Sequence, residues 1–194
     1  MHSAAILAGG RASRFGGRDK SALIVDGRPI LERQIAELAQ ITSDILMVGG
    51  DPSARAIGRA RYVADHVPGC GPLGGLHAAL TDARGDATIV VACDMPYLSA
   101  PLLRHLLALT SGVDAVVPRT EHGYHPMCAA YTRACIEPIA RRLADGRLKM
   151  TDLFDDVRTR IVTAEEIDAF GDCRRLLANV NTPAEYWSVE ANKI

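Results

Sequence analysis

Short, wholly apolar runs alternate with amphipathic stretches through the first half of the chain. Ala4 to Ala8 is such a run, too short for a helix and followed by Gly9-Gly10, so it predicts a buried strand. Ala22-Leu-Ile-Val25 predicts a second short strand, turned at Asp26-Gly27. Pro29 then stands at the start of a helix over Ile30 to Ile41, with Leu31, Ile35 and Leu38 on one face. Ile45 to Val48 predicts a strand ended by Gly49-Gly50, Ala54 to Arg59 a weaker helix, and Tyr62 to Ala64 a strand closed by Asp65. The turn-rich Pro68 to Gly75 leads into a helix predicted from Leu76 to Ala83. Ala87 to Cys93 is the most hydrophobic strand, apolar on both faces as a central parallel strand requires, and it stops at Asp94.

The pattern loosens afterwards. A helix is predicted from Ser99 or Ala100 through Leu109, then strands at Val113 to Pro118 and Met127 to Tyr131 around an exposed turn, Glu121 to Tyr124. Thr132 to Ala144 and Lys149 to Phe154 read as helical, and Arg160 to Val162 as a strand. Thr163 to Glu166 and Thr182 to Glu185 both have the capping-box form, the second with Pro183 at the first helical position. Strands alternating with helices predict an α/β fold, a single Rossmann-like domain with a mostly parallel central sheet flanked by helices. The expected domain covers residues 1–194, with the regular strand–helix alternation in about 1–110 and the looser pattern in about 111–194.

Composition narrows the choices. A length of 194 residues suits one domain with a substantial core, and 48% apolar with 23% charged residues is ordinary for a globular protein. A net charge of −1 argues against a dedicated nucleic-acid binder. No apolar run approaches the roughly 20 residues a bilayer span needs, and Met1-His2-Ser3 enters the first strand without a basic leader. The five cysteines are odd in number and lack Cys-x-x-Cys spacing, which predicts reduced thiols, a cytoplasmic location and no zinc site.

Chemistry gathers after the first strand. Gly9, Gly10, Gly16 and Gly17 alternate with Arg11, Arg14, Arg18 and Lys20. A loop rich in backbone N–H groups and edged with cations suits a polyphosphate, the alternative being a surface loop with solvated charges. It is not a P-loop, because Lys20-Ser21 follows Asp19 rather than glycine. Gly69, Gly71 and Gly74 match a dinucleotide fingerprint by letter only, since Pro72 interrupts it. Ligands of open parallel sheets bind beyond the C-terminal strand ends, where Asp65 and Asp94 fall. Asp94, directly after a buried strand, fits either a divalent cation or a turn-capping role. Taken alone, His125, Asn179 and Asn181 read as turn residues.

The segments Leu7-Ala-Gly-Gly, Arg14-Phe-Gly-Gly and Asp19-Lys20 together resemble the signature loop of the molybdenum cofactor guanylyltransferases. Cys93-Asp-Met-Pro-Tyr97, Gly71-Pro-Leu-Gly-Gly75, Tyr124-His-Pro126 and Asn179-Val-Asn-Thr-Pro183 are similar to later segments of that family, so the likeness spans Ala4 to Tyr186. It implies transfer of GMP from GTP to molybdenum-molybdopterin with release of pyrophosphate. The family pattern implies a GTP site of Leu7, Ala8, Gly9, Gly10, Gly17, Lys20, Asp65, Gly71, Pro72, Leu73, Gly75 and Asp94. Within it, Leu7, Ala8 and Gly9 would line base and sugar, and residues 71–75 would meet the guanine end. Lys20, Arg14 and Asp94 carry the implied catalytic roles, with Asp94 binding Mg2+. His125, Asn179 and Asn181 would bind the acceptor. Further partners would be proteins that deliver the acceptor or receive the cofactor, with no nucleic acid and no membrane. Two positions depart from the pattern: Val48-Gly-Gly-Asp51 stands where the family often has an asparagine, and Phe15 replaces a more usual methionine. A cytidylyltransferase using CTP is the nearest rival, although that group tends to carry Ala-Ala-Gly where this chain has Ala8-Gly-Gly10. A nucleotide-binding module without catalysis is the rival of another class, and it would not need both Lys20 and Asp94.

Overall fold

The computed structural model describes residues 1–8, 23–50 and 56–180. The first strand, β1 (His2–Leu7), is followed by a two-stranded hairpin, β2 (Ile24–Val25) and β3 (Arg28–Pro29), turned at Asp26-Gly27. Helix α1 (Ile30–Leu38) leads to β4 (Ile45–Val48), and β5 (Ala56–Ile57) pairs with β6 (Ala60–Val63). Helix α2 (Gly71–Asp82), the central β7 (Ala87–Ala92) and α3 (Ala100–Ala108) complete the alternating section. Then come β8 (Ala115–Thr120), β9 (Gly123–Tyr124), β10 (Cys128–Thr132), α4 (Ile136–Ala144), β11 (Thr159–Val162), α5 (Ala164–Asp168) and α6 (Cys173–Leu176).

One sheet runs in the order β11-β8-β10-β7-β1-β4-β6-β5, with β9 paired to β8. β1 lies parallel between β4 and β7, β4 is parallel to β6, and β8 to β11. β10 is antiparallel to both of its neighbours, β7 and β8. The sheet is therefore mostly parallel in direction, and the expected α/β architecture is present.

Alternation along the strands explains the layers. Ala4, Ile6, Ile45, Met47, Ile89 and Val91 face α1 and α3 through Leu31, Leu38, Leu102 and Leu106. Ala5, Leu7, Leu46, Val48 and Val90 face α2 and α4 through Leu73, Leu76, Leu80 and Ile139. Both faces of β1 and β7 are covered, which is why their sequences are apolar without alternation.

Several boundaries differ from the sequence expectation. Ala56–Ile57 is a strand rather than part of a helix, because Gly58 turns the chain at φ +62° and returns it along β6. α2 begins at Gly71, not Leu76, with Pro72 in its first turn where a missing N–H costs nothing. Arg133–Cys135 forms a 3-10 turn before α4, and Met150–Asp155 is likewise 3-10 rather than α-helical. Ile24–Val25 belongs to the separate hairpin and not to the main sheet. The Thr163 cap is present, accepting from the Glu166 N–H, whereas the Thr182 capping box lies outside the described residues.

The edge of the sheet remote from the strand C-termini is pinned by Asp44. Its carboxylate accepts from the Ser3 hydroxyl at 2.6 Å, the Arg84 N–H at 2.9 Å and Arg61 Nε at 3.0 Å. Burial pushes its pKa up, but these donors outweigh burial and hold it below the ordinary carboxylate value. A depressed pKa gives stability that is present above the unfolded carboxylate range and lost as pH falls through the folded value. Asp44→Ala should therefore lower stability by about 2 kcal/mol at neutral pH, since one buried and two part-buried donors lose their acceptor. Urea unfolding should also show a smaller loss between neutral and acid pH than in the parent. An unchanged midpoint would show that the network contributes nothing.

Candidate functional site

The C-terminal ends of β1, β4, β6 and β7 lie side by side because those strands are parallel and in register. Backbone bonds continue the ladder past the strands. Ala8 N–H donates to Val48 O at 2.9 Å, Gly49 N–H to Val63 O at 3.0 Å, and Cys93 N–H to Leu7 O at 3.3 Å. Asp65 and Asp94, two strand-end carboxylates predicted from the sequence, thus sit on the same edge as the exit of β1.

Asp65 is held by its own turn, accepting from the Val67 N–H at 3.1 Å. The first turn of α2 comes close to it. A Cβ on Gly74 would stand 3.2 Å from Asp65 Oδ1 and 3.1 Å from both Val67 O and Cys70 Cβ, so glycine permits this approach. The segment Gly71 to Gly75 is the start of a helix, whose first N–H groups have no intrahelical acceptor and can meet a ligand's oxygens. Gly71 and Pro72 are exposed there. Leu7 and Leu73 are buried in the core, and Gly75 packs against the Leu7 side chain. Ala8 is half-buried at the strand exit.

Asp94 is half-buried in a tight turn, with Met95 N–H donating to Ala92 O at 3.4 Å. Two other segments meet this turn. Met127 O accepts from Ala92 N–H at 2.9 Å, which brings the loop after His125 alongside. Val180 N–H donates to Asp94 O at 2.9 Å, which brings Asn179 to the same place. Gly9, Gly10, Arg14, Gly17, Lys20 and Asn181 lie outside the described residues.

His125 accepts or donates through Nε2 to Thr120 Oγ1 at 3.0 Å, and its N–H donates to Pro118 O at 2.9 Å. Burial, then the nearby His122, push its pKa below the ordinary histidine value, so the imidazole is neutral at pH 7. It borders a cavity of about 690 Å³ between the β8–β9 turn and the α5–α6 segment, which runs on to Leu177 and Ala178 just before Asn179.

Sequence reasoning missed the stacking of two arginines on Tyr97, three residues after Asp94. The Arg175 guanidinium lies 4.3 Å from the Tyr97 ring centroid and Arg33 lies 5.6 Å from it. Nothing in the local pattern marks Arg175, since its partner is remote in sequence. Tyr97, by contrast, belongs to the Cys93 to Tyr97 segment already singled out.

Among the described residues, Asp168, Asp172 and Cys173 form a cluster with ligand atoms within 4.8 Å of one another. Burial and then Asp168 raise the Cys173 pKa, which keeps the thiol protonated and makes it a poor ligand. Cys128 is buried, with its pKa pushed up to about 12, and is chemically inert. Among the described residues no helix is long and apolar enough to cross a membrane.

Comparison with known proteins identifies the family and the fold. The family model described as "MobA-like NTP transferase domain" matches residues 4–159. A protein of Pelotomaculum thermopropionicum named "Probable molybdenum cofactor guanylyltransferase" is 37% identical, covering 93% of this chain and 87% of that protein. The molybdenum cofactor guanylyltransferase of Desulfosudis oleivorans is 30% identical, over 96% of this chain and 93% of that one. Molybdopterin-guanine dinucleotide biosynthesis protein A from Archaeoglobus fulgidus shares the fold with a TM-score of 0.83, at 24% identity over 98% of this chain and 97% of that chain.

Gly74→Ala tests whether Asp65 serves the nucleotide. Propensity alone would make α2 more stable by about 1 kcal/mol. The new methyl must nevertheless press on Asp65 Oδ1, Val67 O and Cys70 Cβ, which offsets that gain, so GTP affinity should fall about tenfold while the melting temperature holds. Calorimetric titration showing undiminished GTP binding would separate Asp65 from the nucleotide.

Proposed function

The chain belongs to the family of MobA-like NTP transferases, and from that membership we infer that it transfers GMP from GTP to molybdenum-molybdopterin, releasing pyrophosphate. The observation that carries this reading is the meeting of three segments at one turn. The exit of β1, the Asp94 turn and the Asn179-Val180 segment are joined by the Cys93–Leu7 and Val180–Asp94 backbone bonds. A donor nucleotide on the β1 side and an acceptor on the Asn179 side would have their reacting ends beside Asp94.

The acceptor's terminal phosphate oxygen would form a bond to the α-phosphorus of GTP. The bond from that phosphorus to the bridging oxygen would break, and the electron pair would leave with pyrophosphate. The acceptor phosphate is ionised near neutral pH, so no strong general base is needed. Positioning and charge stabilisation then carry the rate. Lys20 and Arg14 are proposed to face the charge that grows on the leaving pyrophosphate. Asp65, acceptor-only when ionised, suits donors of the nucleotide, and the first turn of α2 offers N–H groups. We also assign His125, Asn179 and Asn181 to the acceptor, as neutral groups that can donate and accept along a pterin edge. Nucleotide contacts would then come mainly from residues 1–110 and acceptor contacts from 111–194, although both parts share one sheet.

Mg2+ is proposed as the cofactor, held by Asp94. The donor set fits, because Mg2+ takes oxygen ligands, keeps several waters and needs only one or two carboxylates when phosphates supply the rest. The Asp168, Asp172 and Cys173 cluster, with its protonated thiol, fits less well. When bound, the ion would neutralise phosphate charge. A cytoplasmic setting is part of this reading, supported by five free cysteines. Proteins that deliver molybdopterin or receive the product are its expected partners.

Incubation with molybdenum-molybdopterin and either GTP or CTP, assaying pyrophosphate, tests the reaction and its base choice together. GTP should be used well and CTP poorly; preference for CTP would move the protein to cytidylyl transfer, and no pyrophosphate with either would remove the enzyme reading. Asp94→Asn should keep the fold and lose turnover on the order of a thousandfold, about 4 kcal/mol of barrier. Full activity of that variant with unchanged Mg2+ dependence would overturn the metal assignment.

A further inference from the structure

Helix α1 carries a stripe of polar residues turned toward the segment that follows β7. Gln34, fully buried, donates from Nε2 to Ala92 O at 2.7 Å and to Met95 O at 2.9 Å. Those two carbonyls bracket Cys93 and Asp94. Arg33 Nε donates to Pro96 O at 3.2 Å, and Glu37 Oε2 accepts from the Ala100 N–H at 2.8 Å. One face of a single helix thus holds the backbone from Ala92 to Ala100.

The orientation of the Gln34 amide is forced. Both partners are carbonyl oxygens, so only the NH2 group can face them. That leaves Gln34 Oε1 buried and, among the described residues, without a hydrogen-bond partner. A buried acceptor left unpaired is costly, and an apolar side chain of similar size would avoid the cost. The residue gives up one hydrogen bond to make two others at a chosen place, and that place is the Asp94 turn. The same helix is tied to the end of the opening loop. Ile30 N–H donates to Leu23 O at 2.9 Å, and Arg33 pairs with Asp26 at 3.5 Å.

We propose that Gln34 is a positioning residue, fixing the turn that presents Asp94 and coupling it through α1 to the segment leaving the nucleotide loop. The proposal rests on the reading of Asp94 as a metal-binding carboxylate. Gln34 touches neither substrate; it acts through the backbone on either side of Asp94. Second-layer partners of this kind typically change metal affinity or activity by tenfold to a hundredfold when removed.

Gln34→Met keeps length and bulk but cannot donate. Three readouts apply to it: hydrogen exchange of the Ala92 to Pro96 backbone, Mn2+ affinity in the presence of GTP by electron paramagnetic resonance, and steady-state kinetics. Exchange at Cys93 and Asp94 should accelerate, Mn2+ affinity and kcat should each fall about tenfold, and KM for GTP should change less than about twofold. Gln34→Glu, whose carboxylate repels both carbonyls when ionised, should be worse than Gln34→Met in all but KM. A merely structural role would lower the unfolding midpoint and leave metal affinity unchanged, and that pattern would overturn the proposal. Should neither variant fold, the parent protein still decides: the Gln34 side-chain amide protons should resist solvent exchange by NMR, and fast exchange would refute the clamp. Asp94→Asn run in parallel separates the two claims. If it is inactive while Gln34→Met behaves as the parent, only the positioning role fails. If it is fully active, the metal reading fails, and the exchange data alone then judge whether Gln34 fixes the turn.

Discussion

The site depends on β1 being buried between two parallel neighbours. Each neighbour gives or takes one bond just beyond the strand: Val48 O accepts from Ala8 N–H, and Leu7 O accepts from Cys93 N–H. These bonds fix where the glycine-rich segment departs relative to the turn that carries Asp94. They exist only because the strands are in register, and register is set by the apolar residues on both faces. Hydrophobic burial in the middle of the sheet therefore determines polar geometry at its edge.

The same logic assigns different work to the two ends of the sheet. At the remote end Asp44 gathers Ser3, Arg61 and Arg84, fully paired and nearly dry, as a structural pin should be. At the strand C-termini the carboxylates are less enclosed. Asp65 and Asp94 lie on turns held by backbone bonds, at the edge where the parallel strands end. The later part of the chain reaches this edge by inserting β10 antiparallel beside β7. That insertion carries the His125 loop to the Asp94 turn, and Val180 docks on it from the C-terminal side.

Much of this was legible in the sequence. The buried strands β1, β4 and β7, the strand-end aspartates and the Ser99 and Thr163 caps follow from apolar runs and capping residues. The first turn of α2 was hidden, since three glycines and a proline in Gly71 to Gly75 read as loop although proline is favoured at a helix start. β5 was hidden because two residues show no period, and the decisive feature, the Gly58 turn, lies after them. The order β7-β10-β8 and the Gln34 clamp could not be read at all. Both are long-range pairings between segments whose local patterns say nothing of each other.

The central claim is that nucleotide binding occurs on the edge formed by the ends of β1, β6 and β7. Hydrogen–deuterium exchange of the protein with and without GTP and Mg2+ tests it directly. The account predicts added protection at Leu7 and Ala8, from Asp65 through Leu76, and from Cys93 to Met95, with none around Asp44 and Gly85. Protection confined to the cavity beside His125, or to the Asp44 edge, would contradict it.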